Sequence, residues 1–132
     1  MTKPTPSLSA EAVVVCDDIR QEDNQKVILI GVYNNTIIVN NFPTVLLFKY
    51  WIQCKAAADG DIPIKMRIFK DNNKKLFHAE LNLHVKRGAG GYFAFSLHSP
   101  PITFDAPCSL ILKWQRPSQR WEKLIEMIVS KA

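Results

Sequence analysis

The sequence predicts an all-β fold: an antiparallel β-sandwich of eight or nine strands, immunoglobulin-like or C2-like in arrangement. Three observations carry that prediction. Apolar and polar side chains alternate with period two in one segment after another; polar turns separate those segments at intervals of about 10 to 15 residues; and no long stretch shows helical periodicity. A closed β-barrel is the alternative. With 132 residues, 47% of them hydrophobic and 22% charged, the chain has the length and composition of one globular domain around one core.

Residues 1–10, with Pro4, Pro6 and small hydroxyl side chains, have little to bury and are expected to form a disordered leader, leaving 11–132 as the domain. The opening MTKPTPSLSA has no apolar run of the kind a secretory signal needs, and no later run reaches the length of a membrane helix. A cytoplasmic protein away from membranes is therefore expected. Cys16, Cys54 and Cys108 agree with that: an odd number, far apart, each inside an apolar run and best explained as free buried thiols.

The domain opens on residues 13–33, VVVCDDIRQEDNQKVILIGVY, which read as a long hairpin. Its arms are β-branched and apolar, and the polar stretch 20–25 turns between them. Such a hairpin needs a second layer to cover one face. Residues 34–36 form a turn, 37–39 a short strand, and Asn40, Asn41 and Pro43 close it. From 45 to 55 one strand is expected, with Leu46, Phe48, Tyr50, Ile52 and Cys54 inward and Leu47, Lys49, Trp51, Gln53 and Lys55 outward.

A loop at 56–61 leads to the strand 62–70, where Ile62, Ile64, Met66 and Ile68 alternate with Pro63, Lys65, Arg67 and Phe69. Pro63 suggests a sheet edge, because proline cannot donate to a ladder. Asp71, Asn72 and Asn73 turn the chain into 75–86, the cleanest alternation present, with Phe77, Ala79, Leu81, Leu83 and Val85 on one face. RGAGG at 87–91 is taken as a hairpin loop before the strand 92–97, and HSPP at 98–101 as a loop because its prolines forbid ladder bonds. Residues 102–104 make another short strand. Leu110, Leu112 and Trp114 alternate inward before a turn at 116–119. The segment 121–130 fits either a helical stripe or a strand face of Trp121, Ile125, Met127 and Val129 spoiled by Lys123; strand is chosen, since a short turn after a strand usually begins a hairpin.

The net charge of +5 is uneven. Residues 1–45 hold three basic and five acidic side chains, and residues 46–132 fourteen and seven, so the basic surplus belongs to the later strands. That favours acidic partners in general without naming one.

Chemical motifs are weak. His78 and His84 share a face but lie six residues apart on one strand, about 20 Å, too far to hold one metal ion. Asp17, Asp18, Glu22 and Asp23 form an acidic cluster that lacks the glycine spacing of a calcium loop and suits a turn. RGAGG precedes a strand and not a helix, so it is no phosphate cradle. Ser96 has no nucleophile elbow, and no paired acids stand out. No enzyme, metal or cofactor is expected. The candidate binding face is Lys49, Trp51, Lys55, Lys65 and Arg67, which would lie together if the strand at 45–55 pairs with that at 62–70. A Trp among cations suits a protein interface hot spot and, alternatively, a stacking site for single-stranded nucleic acid.

The segments C-D-D-I-R-Q-E-D-N-Q-K (16–26), L-I-G-V-Y (29–33) and N-F-P (41–43) resemble a family of short bacterial proteins known only as a domain of unknown function. The resemblance covers about the first third of the chain, and family members often have Gly where Gln25 stands. It implies a cytoplasmic bacterial β protein and carries over no catalytic or binding residue. The expected function is a non-enzymatic interaction module that docks a protein partner or a second copy of itself through an edge strand or sheet face; binding of single-stranded nucleic acid through the basic, aromatic face is the alternative.

Overall fold

Strand order explains where each apolar stripe is buried. A computed structural model describes residues 7–23, 26–71 and 73–132. Among these, eleven strands follow one another: β1 (Leu8–Gln21), β2 (Val27–Val32), β3 (Thr36–Val39), β4 (Thr44–Leu46), β5 (Lys49–Ala56), β6 (Gly60–Lys70), β7 (Lys74–Val85), β8 (Tyr92–His98), β9 (Ile102–Phe104), β10 (Cys108–Gln115) and β11 (Glu122–Lys131). One sheet runs β2-β1-β5-β8 and the other β3-β11-β10-β6-β7, while β4 and β9 pair by themselves. None closes into a barrel, and the all-β sandwich is as expected. It has eleven strands among the described residues where eight or nine were expected, because the short strands β4 and β9 form a separate pair.

The period-two stripes meet in one core. Val15, Tyr50, Ile52 and Cys54 from the first sheet pack with Ile64, Met66, Ile68, Leu110, Leu112, Trp114, Met127 and Val129 from the second. Ile102 and Phe104 of β9 join the same cluster, and Phe104 stands edge-on to Phe48 at 6.3 Å.

Several sequence expectations are corrected. The strand β1 begins at Leu8, so residues 8–10 of the expected leader are ordered: Leu8 is 1% exposed and lies opposite Ala56, and Arg116 Nη1 donates to its carbonyl at 2.6 Å. Ser7 is described as well, its carbonyl accepting from Ala57 N–H at 3.0 Å, whereas residues 1–6 lie outside the described residues, as do Asn24 and Gln25 between β1 and β2 and Asn72 between β6 and β7. The expected strand at 45–55 breaks at Leu47 and Phe48. The Phe48 N–H donates to Ser99 Oγ and its carbonyl accepts from Ser99 N–H, both at 2.9 Å, so Ser99 replaces the ladder there.

β6 is an interior strand and not an edge. β10 pairs with it only from Lys65 to Lys70, so one flank is open at Pro63, where a missing donor costs least. RGAGG is no hairpin loop, because β7 and β8 belong to different sheets; a single 3-10 turn, Ala89–Gly91, carries the chain across. The sheets are not wholly antiparallel either, since β3 runs parallel to β11. The last segment is a strand, as chosen, but Trp121 is on the other face from Ile125. Leu112 pairs with Ile125 and Lys113 with Lys123, so one extra residue, Leu124, shifts the alternation.

Candidate functional site

The five residues expected to form one face are divided between the two sheets. Lys49, Trp51 and Lys55 are on β5, whose ladders are both occupied, by β1 and β8; Lys65 and Arg67 are on β6. The chain crosses between the sheets at residues 57–59, a loop held by Arg87, which donates to Asp59 Oδ1 and the Ala57 carbonyl. The premise that β5 pairs with β6 therefore fails, and the two sets look outward from opposite sides. Trp51 is half-buried between its cross-strand neighbours Val14 and Ser96. Lys49 Nζ stands 2.6 Å from Asp18 Oδ1, and that bond, with a second from Ile19 N–H, holds the Asp18 carboxyl below its usual range.

The acidic cluster of the first hairpin is a set of separate contacts. Successive strand residues point to opposite faces, so Asp17 and Asp18 part company: Asp17 accepts from Tyr33 Oη, and Asp18 from Lys49 and Arg20. Among the described residues no three His, Cys, Asp or Glu side chains converge as a metal site. His84 Nδ1 lies 2.7 Å from Asp61 Oδ1, whereas His78 Nδ1 accepts from Arg67 Nε at 3.0 Å. Cys16, Cys54 and Cys108 are free and buried.

Burial, then the bond to Asp17, pushes Tyr33 up to about 12 from 10.0; burial pushes Cys54 to about 12 from 9.0 and raises Tyr50 further still. Each group binds its proton more tightly folded than unfolded. Its stabilisation is thus complete below the ordinary thiol and phenol values and is lost as pH rises through about 9 to 12. Urea unfolding is expected to need progressively less denaturant over that window, and Tyr33→Phe is expected to remove part of the slope. A flat profile would contradict the burial of these groups.

Two outer surfaces carry unusual chemistry. The first is the edge strand β2. Ile28, Ile30 and Val32 share one face of it and are 43%, 38% and 50% exposed, and no residue of the strand is charged. The second is the outside of the larger sheet, where Lys65 and Arg67 are joined by Lys113, Lys123 and Trp121. Arg67 Cζ lies 4.3 Å from the Trp121 ring centroid, and Lys113 Nζ 5.2 Å from that of Phe69. Lys113, Trp121 and Lys123 line one shallow depression with Ser109, Ile111 and two acids, Asp71 and Glu126. Sequence reasoning missed these three. Lys113 was visible as an outward residue of its strand, but Trp121 and Lys123 were hidden by the Leu124 bulge, for which only the misfit of Lys123 gave a sign.

The fold and these surfaces define a small all-β sandwich domain whose outer sheet faces differ in chemistry. Among the described residues no helix is long and apolar enough to cross a membrane. The chain belongs to a family of unknown function, DUF6941, whose pattern matches residues 11–109, from β1 to the first residues of β10. No curated protein matches the chain.

Proposed function

We propose that this domain is a non-enzymatic interaction module that self-associates by pairing its β2 edge with the same strand of a second copy. The observation that carries this reading is β2 itself: three outward apolar side chains on an uncharged strand with one ladder unpaired. Edges of this kind are normally blunted by charge, proline or brevity. The larger sheet has both devices, since β7 carries Lys74, Lys75, His78, Glu80 and His84, and β3 has four residues. At β8, the other edge of the smaller sheet, Phe93 and Phe95 stack and pack against the core.

A second copy suits β2 because antiparallel self-pairing places the same patch on both sides of a two-fold axis. With no charge between Val27 and Val32, such pairing sets no like charges opposite each other. The prominent acids are already engaged: Asp17 by Tyr33, Asp18 by Lys49, Asp59 by Arg87 and Asp61 by His84. That supports a binding role over catalysis. A bacterial, cytoplasmic setting fits three buried free thiols and the motif at 16–33.

Sedimentation of the purified protein over a wide micromolar range is expected to give a dimer. Ile28→Lys/Ile30→Lys should give a monomer with an unchanged far-ultraviolet spectrum, because both positions are solvent-exposed. A wild-type monomer throughout would overturn the reading, and so would a dimer that the double variant leaves intact.

A further inference from the structure

The larger sheet carries a row of three cations, Arg67, Lys113 and Lys123, flanked by a histidine, that its folding does not require. In register across four neighbouring strands stand His78 on β7, Arg67 on β6, Lys113 on β10 and Lys123 on β11. Directly opposed residues on adjacent strands have their Cβ atoms about 5 Å apart, and like charges so placed are destabilising. Lys65 follows on the same face two residues along β6, opposite Glu80 and Gln115, and among the described residues it makes no ion pair.

Neighbouring groups neutralise little of this charge. Arg67 lies over Trp121 and donates to His78 Nδ1; Lys113 lies over Phe69. Both contacts seat a cation on a ring without cancelling it. Of the four, only Lys123 and His78 have carboxylates within reach, Glu126 at 3.4 Å and Glu80 at 3.5 Å, and both acids are solvent-exposed. Exposed pairs of that sort are weak and are screened by salt.

We propose that this row binds the backbone phosphates of a single-stranded nucleic acid. The three cations run across the strands for about 10 Å, two inter-strand spacings. They lie on an open sheet face beside two aromatic rings, Trp121 and Phe69. Evenly set point cations suit a polymer with one charge per nucleotide, and rings on the same face offer stacking surfaces to bases. An acidic protein segment would use the cations but has no need of the rings. Asp71 and Glu126 mark one side of the depression, so the strand is expected to lie toward Arg67 and Lys65. This site is independent of the β2 edge.

The test is fluorescence anisotropy with labelled twenty-nucleotide oligo-dT and oligo-U, in low salt and then in rising potassium chloride. Binding is expected, with a log–log salt slope of about −2 for three neutralised phosphates on a single strand. Lys113→Glu should weaken it about tenfold, whereas Lys55→Glu, on the outer face of the other sheet, should leave it unchanged. Thermal unfolding of both variants checks that they remain folded, and Arg67→Gln, which keeps a side chain over Trp121, gives a second measure at the row. Three results would overturn the proposal: no binding at the lowest salt, equal weakening by Lys55→Glu, or displacement of the oligonucleotide by poly-glutamate as readily as by unlabelled oligo-dT.

Discussion

Trp114→Ala is expected to destabilise the domain by about 3 to 5 kcal/mol, enough to lower the melting temperature by more than about 10 °C in a chain of this size. Trp114 is fully buried and is the largest side chain in that state. Its loss opens a cavity where the two sheets meet, and it also dismantles a polar cluster. The indole N–H donates to Glu122 Oε1 at 2.8 Å, and Arg116 lies over the ring with Cζ 5.6 Å from the centroid. Arg116 in turn holds the Leu8 carbonyl at the start of β1 and pairs with Glu122 Oε2 at 3.4 Å. Removing the ring therefore loosens the N-terminal end of β1 as well as the core. Trp114→Phe keeps an aromatic ring in place and should cost well under half as much. Trp51→Ala, at a half-buried position on an outer face, should cost about 1 kcal/mol. Urea and thermal unfolding decide the matter: equal losses for Trp114→Ala and Trp51→Ala would mean that burial of the Trp114 ring does not dominate the stability of this core.

The sandwich was visible from the sequence because period two is a local property. Ile62, Ile64, Met66 and Ile68 point inward whichever strands flank them, so alternation alone identifies β6 and its buried face. Which strands flank them is a different question, answered far along the chain. β5 lies between β1 and β8 because the turn at residues 57–59 crosses to the other sheet, and Arg87, 28 residues beyond Asp59, is part of what holds it there. Nothing between Lys55 and Ile62 distinguishes a crossing from a hairpin. The expected face of Lys49, Trp51, Lys55, Lys65 and Arg67 rested on that one choice.

The cation row shows the same limit from the other side. Lys65, Arg67 and Lys113 were each placeable as outward residues, but their adjacency needs the order β6-β10-β11, in which strands distant in sequence become neighbours. Lys123 and Trp121 needed the bulge at Leu124 in addition, and a bulge appears in a sequence only as an alternation that slips. The break at Phe48 was equally hidden. Its cause is a pair of hydrogen bonds to Ser99, 51 residues away, while the local pattern at residues 45–55 alternates without interruption.

Gly31→Ala is expected to cost about 2 to 4 kcal/mol, and most of the excess over an ordinary glycine replacement should vanish when Asp17 is also replaced by alanine. Gly31 has φ +69°, where an L side chain pays about 1 to 2 kcal/mol for left-handed backbone. A Cβ built there would also collide with Asp17 Oδ2 and lie only 2.8 Å from Asp17 Cγ, so the carboxylate would have to move. That carboxylate accepts the Tyr33 hydroxyl, and the Tyr33 ring stands edge-on to Phe48 at 6.1 Å, so displacing Asp17 disturbs the packing at the end of the first hairpin. Asp17→Ala alone should cost about 1 kcal/mol through the lost bond. In the double variant the collision is gone and only the backbone strain of residue 31 remains, so the two losses should sum to clearly more than the measured total. Strict additivity would show that the Asp17 carboxylate does not confine residue 31. A positive coupling would instead join the C-D-D and I-G-V-Y segments, which are separated in the chain by the hairpin tip, into one mechanical unit. Asp17, Gly31 and Tyr33 would then together fix the geometry of β1 and β2, and with it the presentation of the apolar β2 edge.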